Sequence, residues 1–168
     1  QQLYEGIELG GEATGLITYM RTDSTRLADE AVAEARELIG ERYGADYVPA
    51  KPKQYRRGKA AQDAHEAVRP TSVQHPPQEV ESYLTPDQIK LYRLIWDRFI
   101  SCQMTPAVYD RTTIDILAGD YGLRATGSVM KFAGFTAVYT EGKDDEAEEA
   151  EELLPQGLES GARLQLLA

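Results

Sequence analysis

The order of patterns in this sequence predicts an α+β protein, helical for most of its first two-thirds and built of antiparallel strands thereafter. Two observations predict the helices: apolar residues recur at helical spacing over about 28–43 and again over about 85–103. A third predicts the strands. Past Thr105-Pro106 the periodicity gives way to β-branched and apolar runs cut by Gly- and Asp-bearing turns. The expected domains are therefore 1–105 and 106–168.

The elements follow in order. Residues 1–9 suggest a short helix with Leu3, Tyr4 and Ile7 on one side, and Gly10-Gly11-Glu12-Ala13-Thr14 a turn or tight loop. Leu16 to Met20 is β-branched or apolar around a tyrosine and reads as a short strand, which polar residues from Thr22 to Thr25 terminate. In the helix over 28–43, Val32, Ala35, Ile39 and Tyr43 share a face. Asp29 and Glu30 sit where acids favour the helix dipole, and Gly44 is a natural stop. Residues 46–62 form a loop, and 64–68 a helical turn ended before Pro70. Thr85-Pro86-Asp87-Gln88 combines a threonine cap, a proline at the first helical position and a glutamine closing the capping box. Ile89, Tyr92, Ile95, Trp96 and Phe99 then trace a broad apolar face, in which Trp96 is packing. Strands are expected at 108–117, 122–130, 135–139 and 162–167, with an acidic linker at 141–152.

Hydrophobic residues make up 42% of the 168, enough for a core, and no apolar run approaches the length of a membrane span. The start has no signal-peptide pattern. Gln1 opens the chain where a complete reading frame would have Met, so a piece of a longer protein is expected. A single cysteine, Cys102, rules out an internal disulfide and fits a reducing compartment. It falls in the apolar helical pattern, so a buried, inert thiol is expected. The net charge of −10 argues against nucleic acid as a partner until it is localised. Residues 141–152 hold eight acids and one lysine, a contribution of −7, which leaves −3 on residues 1–140. Within those, 51–69 holds six basic residues against Asp63 and Glu66. A basic strip suits phosphate contacts, and Tyr47 and Tyr55, interleaved with cations in the 46–62 loop, could stack on bases, although a solvated loop looks the same. The acidic run has no spaced ligand pattern of a metal site and reads as a solvated linker.

Chemistry concentrates at Gly15-Leu16-Ile17-Thr18-Tyr19-Met20-Arg21-Thr22-Asp23-Ser24. On a strand, Tyr19 and Arg21 project from one face. Phenols have a reference pKa near 10, so roughly one in a thousand is ionised at neutral pH. A fixed cation stabilises the ionised form, and a guanidinium can fork onto a phosphate and offset charge in a transition state. That pairing suits tyrosine attack on a phosphodiester. On chemistry alone a half-buried cross-strand tyrosine with a solvated arginine is the commoner arrangement. On the turn at 64–68, His65 and Arg69 are four apart and share a face, close enough to reach one phosphate. A lone histidine is ordinarily a structural hydrogen-bonder, and His75, followed by two prolines, has no support for more.

Leu3-Tyr4-Glu5-Gly6 with the Gly15–Ser24 stretch closely resembles the active-site segment of the type IA DNA topoisomerases, most of all their bacterial topoisomerase I branch. Ala64-His65-Glu66-Ala67-Val68-Arg69-Pro70-Thr71 is similar to that family's histidine motif. Leu91-Tyr92-Arg93-Leu94-Ile95-Trp96-Asp97-Arg98-Phe99, running on to Cys102-Gln103-Met104-Thr105-Pro106-Ala107, resembles the segment that follows. Three blocks in the right order over nearly the whole chain are more specific than any one of them. Topoisomerase III and reverse gyrase share the tyrosine motif; the Cys102–Ala107 block leans toward topoisomerase I.

The resemblance implies that Tyr19 is the nucleophile, Arg21 its phosphate-contacting neighbour, and His65 a further phosphate contact; the face Arg69 shares with His65 makes it a DNA-contact candidate as well. It implies that one strand of DNA is cleaved through a 5′-phosphotyrosine intermediate and rejoined without ATP, relaxing negative supercoils. It makes 1–105 the active-site tyrosine domain and 106–168 part of a β-rich arch or gate domain. Mg²⁺ would be held by an acidic N-terminal domain outside these residues, with no metal ligand expected here. Single-stranded and negatively supercoiled DNA are the implied partners, with no membrane, a monomer as the expected state, and the bacterial cytoplasm and nucleoid as the location. The 168 residues alone are expected to be inactive. Two other classes fit the residues: a non-catalytic DNA-binding module that retains the motif, and an acidic protein-interaction domain acting through 141–152.

Overall fold

A computed structural model describes residues 1–53, 55, 66–140, 154 and 157–165. Contacts divide the chain into two units, one of Gln1–Pro106 with Gly134–Thr140, the other of Ala107–Ala133 with Glu141–Ala168. The architecture is α+β, with four α-helices and two small antiparallel sheets among the described residues.

The first unit begins with one helical turn, α1 (Gln2–Glu5), which Gly6 ends at φ 136. The expected helix over 1–9 is thus cut short. Ile7–Leu9 (β1) pairs instead with Glu12–Thr14 (β2), with Leu9 opposite Glu12. The reason lies in the connection: Gly10 and Gly11 both take positive φ, 63° and 102°, the conformation a two-residue hairpin turn requires.

Helix α2 (Asp29–Tyr43) buries Ala31, Val32, Ala35, Leu38 and Ile39, and Gly44 closes it with its N–H on the Gly40 carbonyl. Its N-cap, Ala28, has no side chain able to cap, and the carboxylate of Glu66 accepts the Ala28 N–H from 38 residues away. After a short 3₁₀ turn at Ala45–Tyr47 come α3 (Pro77–Val80) and α4 (Pro86–Cys102). The capping box on α4 is complete, with Thr85 and Gln88 exchanging side-chain-to-backbone bonds. Tyr92, Trp96, Phe99 and Ile100 of α4 join Ala31, Ala35, Leu38 and Ile39 of α2 in one core. Leu16 and Ile17 belong to the same core, at 0% and 4% exposure. Burying two such side chains contributes about 3–6 kcal/mol, which fixes the base of the tyrosine stretch. Cys102 is half-buried.

Residues 135–139, expected as a strand, fold as a 3₁₀ turn over Gly134–Ala137 and belong to the first unit. Gly134 sits at φ 51 against the Thr105 and Pro106 carbonyls, where a β-carbon would lie 2.5 Å from either oxygen, and the Phe135 N–H bonds to Thr105. That turn diverts the chain away from pairing.

In the second unit β3 (Val108–Ala118) and β4 (Tyr121–Phe132) form a long antiparallel hairpin closed by Gly119-Asp120. Ile114 opposes Ala125 and Ile116 opposes Leu123 on one face. Asp115 and Arg124 pair across the other at 2.7 Å, which pulls the Asp115 carboxyl below the usual range. The last expected strand, 162–167, is not a strand over 162–165, and its remainder lies outside the described residues, as does the acidic run 141–152.

Candidate active site

The tyrosine stretch differs from the strand expected over 16–20. It is extended and makes one antiparallel bridge, Ile17 with Pro70. Two neighbours hold it. On one side the Leu3 carbonyl of α1 accepts the Leu16 N–H at 2.7 Å and the Ile17 N–H at 3.2 Å. Gly15 permits that approach, because a β-carbon there would lie 2.7 Å from the Tyr4 carbonyl oxygen. On the other side Thr71 donates its N–H to Leu16 (3.0 Å) and its hydroxyl to Gly15 (2.6 Å), while the Thr18 N–H donates to Arg69 (2.9 Å).

Pairing stops at Thr18. The Arg21 N–H turns back onto the Tyr19 carbonyl at 2.9 Å, a tight turn about Met20. Strand alternation therefore ends at the tyrosine, and the placement of Arg21 comes from this turn. Tyr19 is 55% exposed, with its ring edge-on to Tyr4 at 5.4 Å between centroids. Arg21 pairs through Nε with Asp23 at 3.0 Å, both side chains part-exposed. Tyr19 is thus part-exposed on a buried footing, with a guanidinium two residues on.

His65 lies outside the described residues. Residues 66–69 are not helical. Arg69 is mostly buried and spends three nitrogens on protein: Nε and Nη2 on the two Glu66 oxygens (3.3 and 3.1 Å), Nη1 on the Pro70 carbonyl (2.8 Å). A guanidinium carries five N–H groups, so two remain for other acceptors. Glu66 both binds this fork and caps α2, a role that the sequence pattern does not predict. Its one local signal is the spacing of three from Arg69.

Of the loop expected over 46–62, residues 54 and 56–62 lie outside the described residues, and its two tyrosines point to packing. Tyr55 donates its hydroxyl to the Cys102 carbonyl at 2.7 Å, and Tyr47 sits against Tyr43 at 5.9 Å. His75 accepts the Tyr92 hydroxyl on its backbone carbonyl. Among the described residues no three His, Cys, Asp or Glu side chains are grouped to hold a metal ion. No helix among them is long and apolar enough to cross a membrane.

An exposed tyrosine on a buried extended segment, cross-braced to a Glu–Arg pair, is a site suited to nucleophilic attack on a charged ester. A family model described as DNA topoisomerase matches residues 1–167, and the chain belongs to that family. Its branch is the bacterial type IA one. Full-length topoisomerase I from Thermotoga maritima is similar in structure, with a TM-score of 0.71 and 42% sequence identity. The match covers 89% of this chain and 24% of that one, so the chain spans about a quarter of its relative's length.

Proposed function

We propose that Tyr19 is the strand-cleaving nucleophile of a type IA topoisomerase. The Tyr19 oxygen loses its proton and bonds to the phosphorus of a phosphodiester in single-stranded DNA. The bond from phosphorus to the 3′ oxygen breaks, and that oxygen leaves as a hydroxyl after taking up a proton. One ester replaces another, so the reverse step rejoins the strand without ATP. A strand passed through the gap between the two steps relaxes negative supercoils. Arg21 binds the attacked phosphate, and His65 and Arg69 contact the DNA backbone. Magnesium, in this reading, is held by residues other than those described, and no step here is drawn through it. The acting protein is a monomer in the bacterial cytoplasm, working on DNA of the nucleoid.

The observation that best supports this reading is the contrast within one short segment: Leu16 and Ile17 are sealed in the core, and Tyr19 is more than half exposed. A nucleophile needs that combination of access and fixed position. In the full-length protein Tyr19→Phe is expected to abolish the covalent protein–DNA adduct while the melting temperature stays within about 2 °C of the parent, as suits an exposed hydroxyl. A normal yield of 5′-phosphotyrosyl adduct in that variant would reject Tyr19.

A further inference from the structure

Residues 19–25, which carry Tyr19, Arg21 and Asp23, form an arc whose two ends rest on the same short segment, 66–69. At the first end the Thr18 hydroxyl donates to the Ala67 carbonyl (3.1 Å) and accepts the Arg69 N–H (3.0 Å), and the Thr18 N–H donates to the Arg69 carbonyl (2.9 Å). At the second end the Ala67 N–H donates to the Arg26 carbonyl (2.7 Å), and the Glu66 carboxylate accepts the Ala28 N–H. Both peptide groups of Ala67 and both of Arg69 are thereby used between the two ends. Glu66 also grips Arg69 with both oxygens, which stiffens the segment itself.

We propose that Thr18 and Glu66 are positioning residues for the cleavage step, clamping the two ends of the Tyr19 arc to one segment so that the phenol is held in place for attack. This rests on Tyr19 being the nucleophile. Neither side chain needs to touch DNA. Thr18 is the more specific of the two, because its hydroxyl is at once donor and acceptor between groups that are themselves part-buried. Valine has the same shape and neither capacity, whereas serine keeps both.

The test uses the full-length protein and a single-stranded oligonucleotide, with single-turnover cleavage at saturating DNA, DNA affinity and melting temperature measured for each variant. Thr18→Val is expected to slow cleavage per folded molecule about 10- to 100-fold, the scale of a displacement near 1 Å, with DNA affinity within about twofold. Thr18→Ser is expected to recover to within about threefold of the parent, and Glu66→Gln, which keeps one oxygen for Ala28 but sets a donor against Arg69, to slow cleavage about tenfold. Parent-like cleavage per folded molecule in both Thr18→Val and Glu66→Gln overturns the proposal. So does a loss confined to DNA affinity, a failure of Thr18→Ser to recover, or the unfolding of both variants, since these assign a binding or purely structural role. An adduct persisting in Tyr19→Phe would instead reject the underlying nucleophile, whatever Thr18 does.

Discussion

Tyr19 and Tyr92 show two uses of one side chain. Tyr92 is fully buried on α4, its hydroxyl donating to the His75 carbonyl at 2.7 Å, and burial raises its pKa far above the ordinary phenol value. Such a phenol stays protonated and structural. Tyr19 is instead more than half exposed, two residues from an arginine. Asp97 offers a residue-scale test of the electrostatics. Burial on α4 raises its carboxyl pKa and nearby Arg93 only partly opposes this. An acid whose folded pKa is raised binds its proton more tightly in the native state, so stability falls as pH rises through and above the ordinary carboxylate range near 4. Asp97→Asn is therefore expected to raise the unfolding free energy at pH 7, read from urea denaturation, by less than about 1 kcal/mol after solvent screening, and to lose that advantage below about pH 3.5. A gain that is equal at both pH values would show that ionisation is not the cause.

Elements whose causes are local were readable from the sequence, and those with distant causes were not. The α4 start is written in Thr85, Pro86 and Gln88, all within one turn, and the apolar face of α2 needs only its own spacing. The β1–β2 hairpin had its signal in Gly10-Gly11, outweighed by the apolar residues before it. The turn at Gly134–Ala137 depends on carbonyls near Thr105, some 29 residues back, and no local pattern announces it. Gly134→Ala is accordingly expected to destabilise the first unit by more than about 1 kcal/mol, since it adds a β-carbon into backbone at a positive φ. An unchanged denaturation midpoint would contradict that packing. The Tyr19 stretch shows the same limit. Its apolar residues were visible, but its partners at 67–71 lie about 50 residues on, and the turn at Met20 replaces the alternation a strand would have supplied. Tyr19 and Arg21 stand out as a candidate site because three separated motifs resemble one family; the contacts of Thr18 and Glu66 span a distance no local pattern announces.

On the scale of the whole molecule, charge and extent bear on what the 168 residues can do. The net charge of −10 opposes DNA, and most of it resides in 141–152, away in sequence from the motif residues. The chain spans about a quarter of the Thermotoga maritima relative, and no metal-binding cluster occurs among the described residues. The purified 168-residue chain is expected neither to cleave nor to relax supercoiled plasmid, with or without magnesium, and to bind single strands only weakly; robust relaxation free of contaminating enzyme would refute this. The central claim concerns one oxygen atom, and it is tested most directly by locating the covalent bond. Full-length protein trapped on a single-stranded oligonucleotide, digested with protease and nuclease and sequenced by mass spectrometry, is expected to yield the peptide containing Tyr19 with a nucleotide joined through its 5′-phosphate, and a matching DNA fragment ending in a 3′-hydroxyl. A nucleotide attached to any other residue, or joined to Tyr19 through a 3′-phosphate, would contradict it.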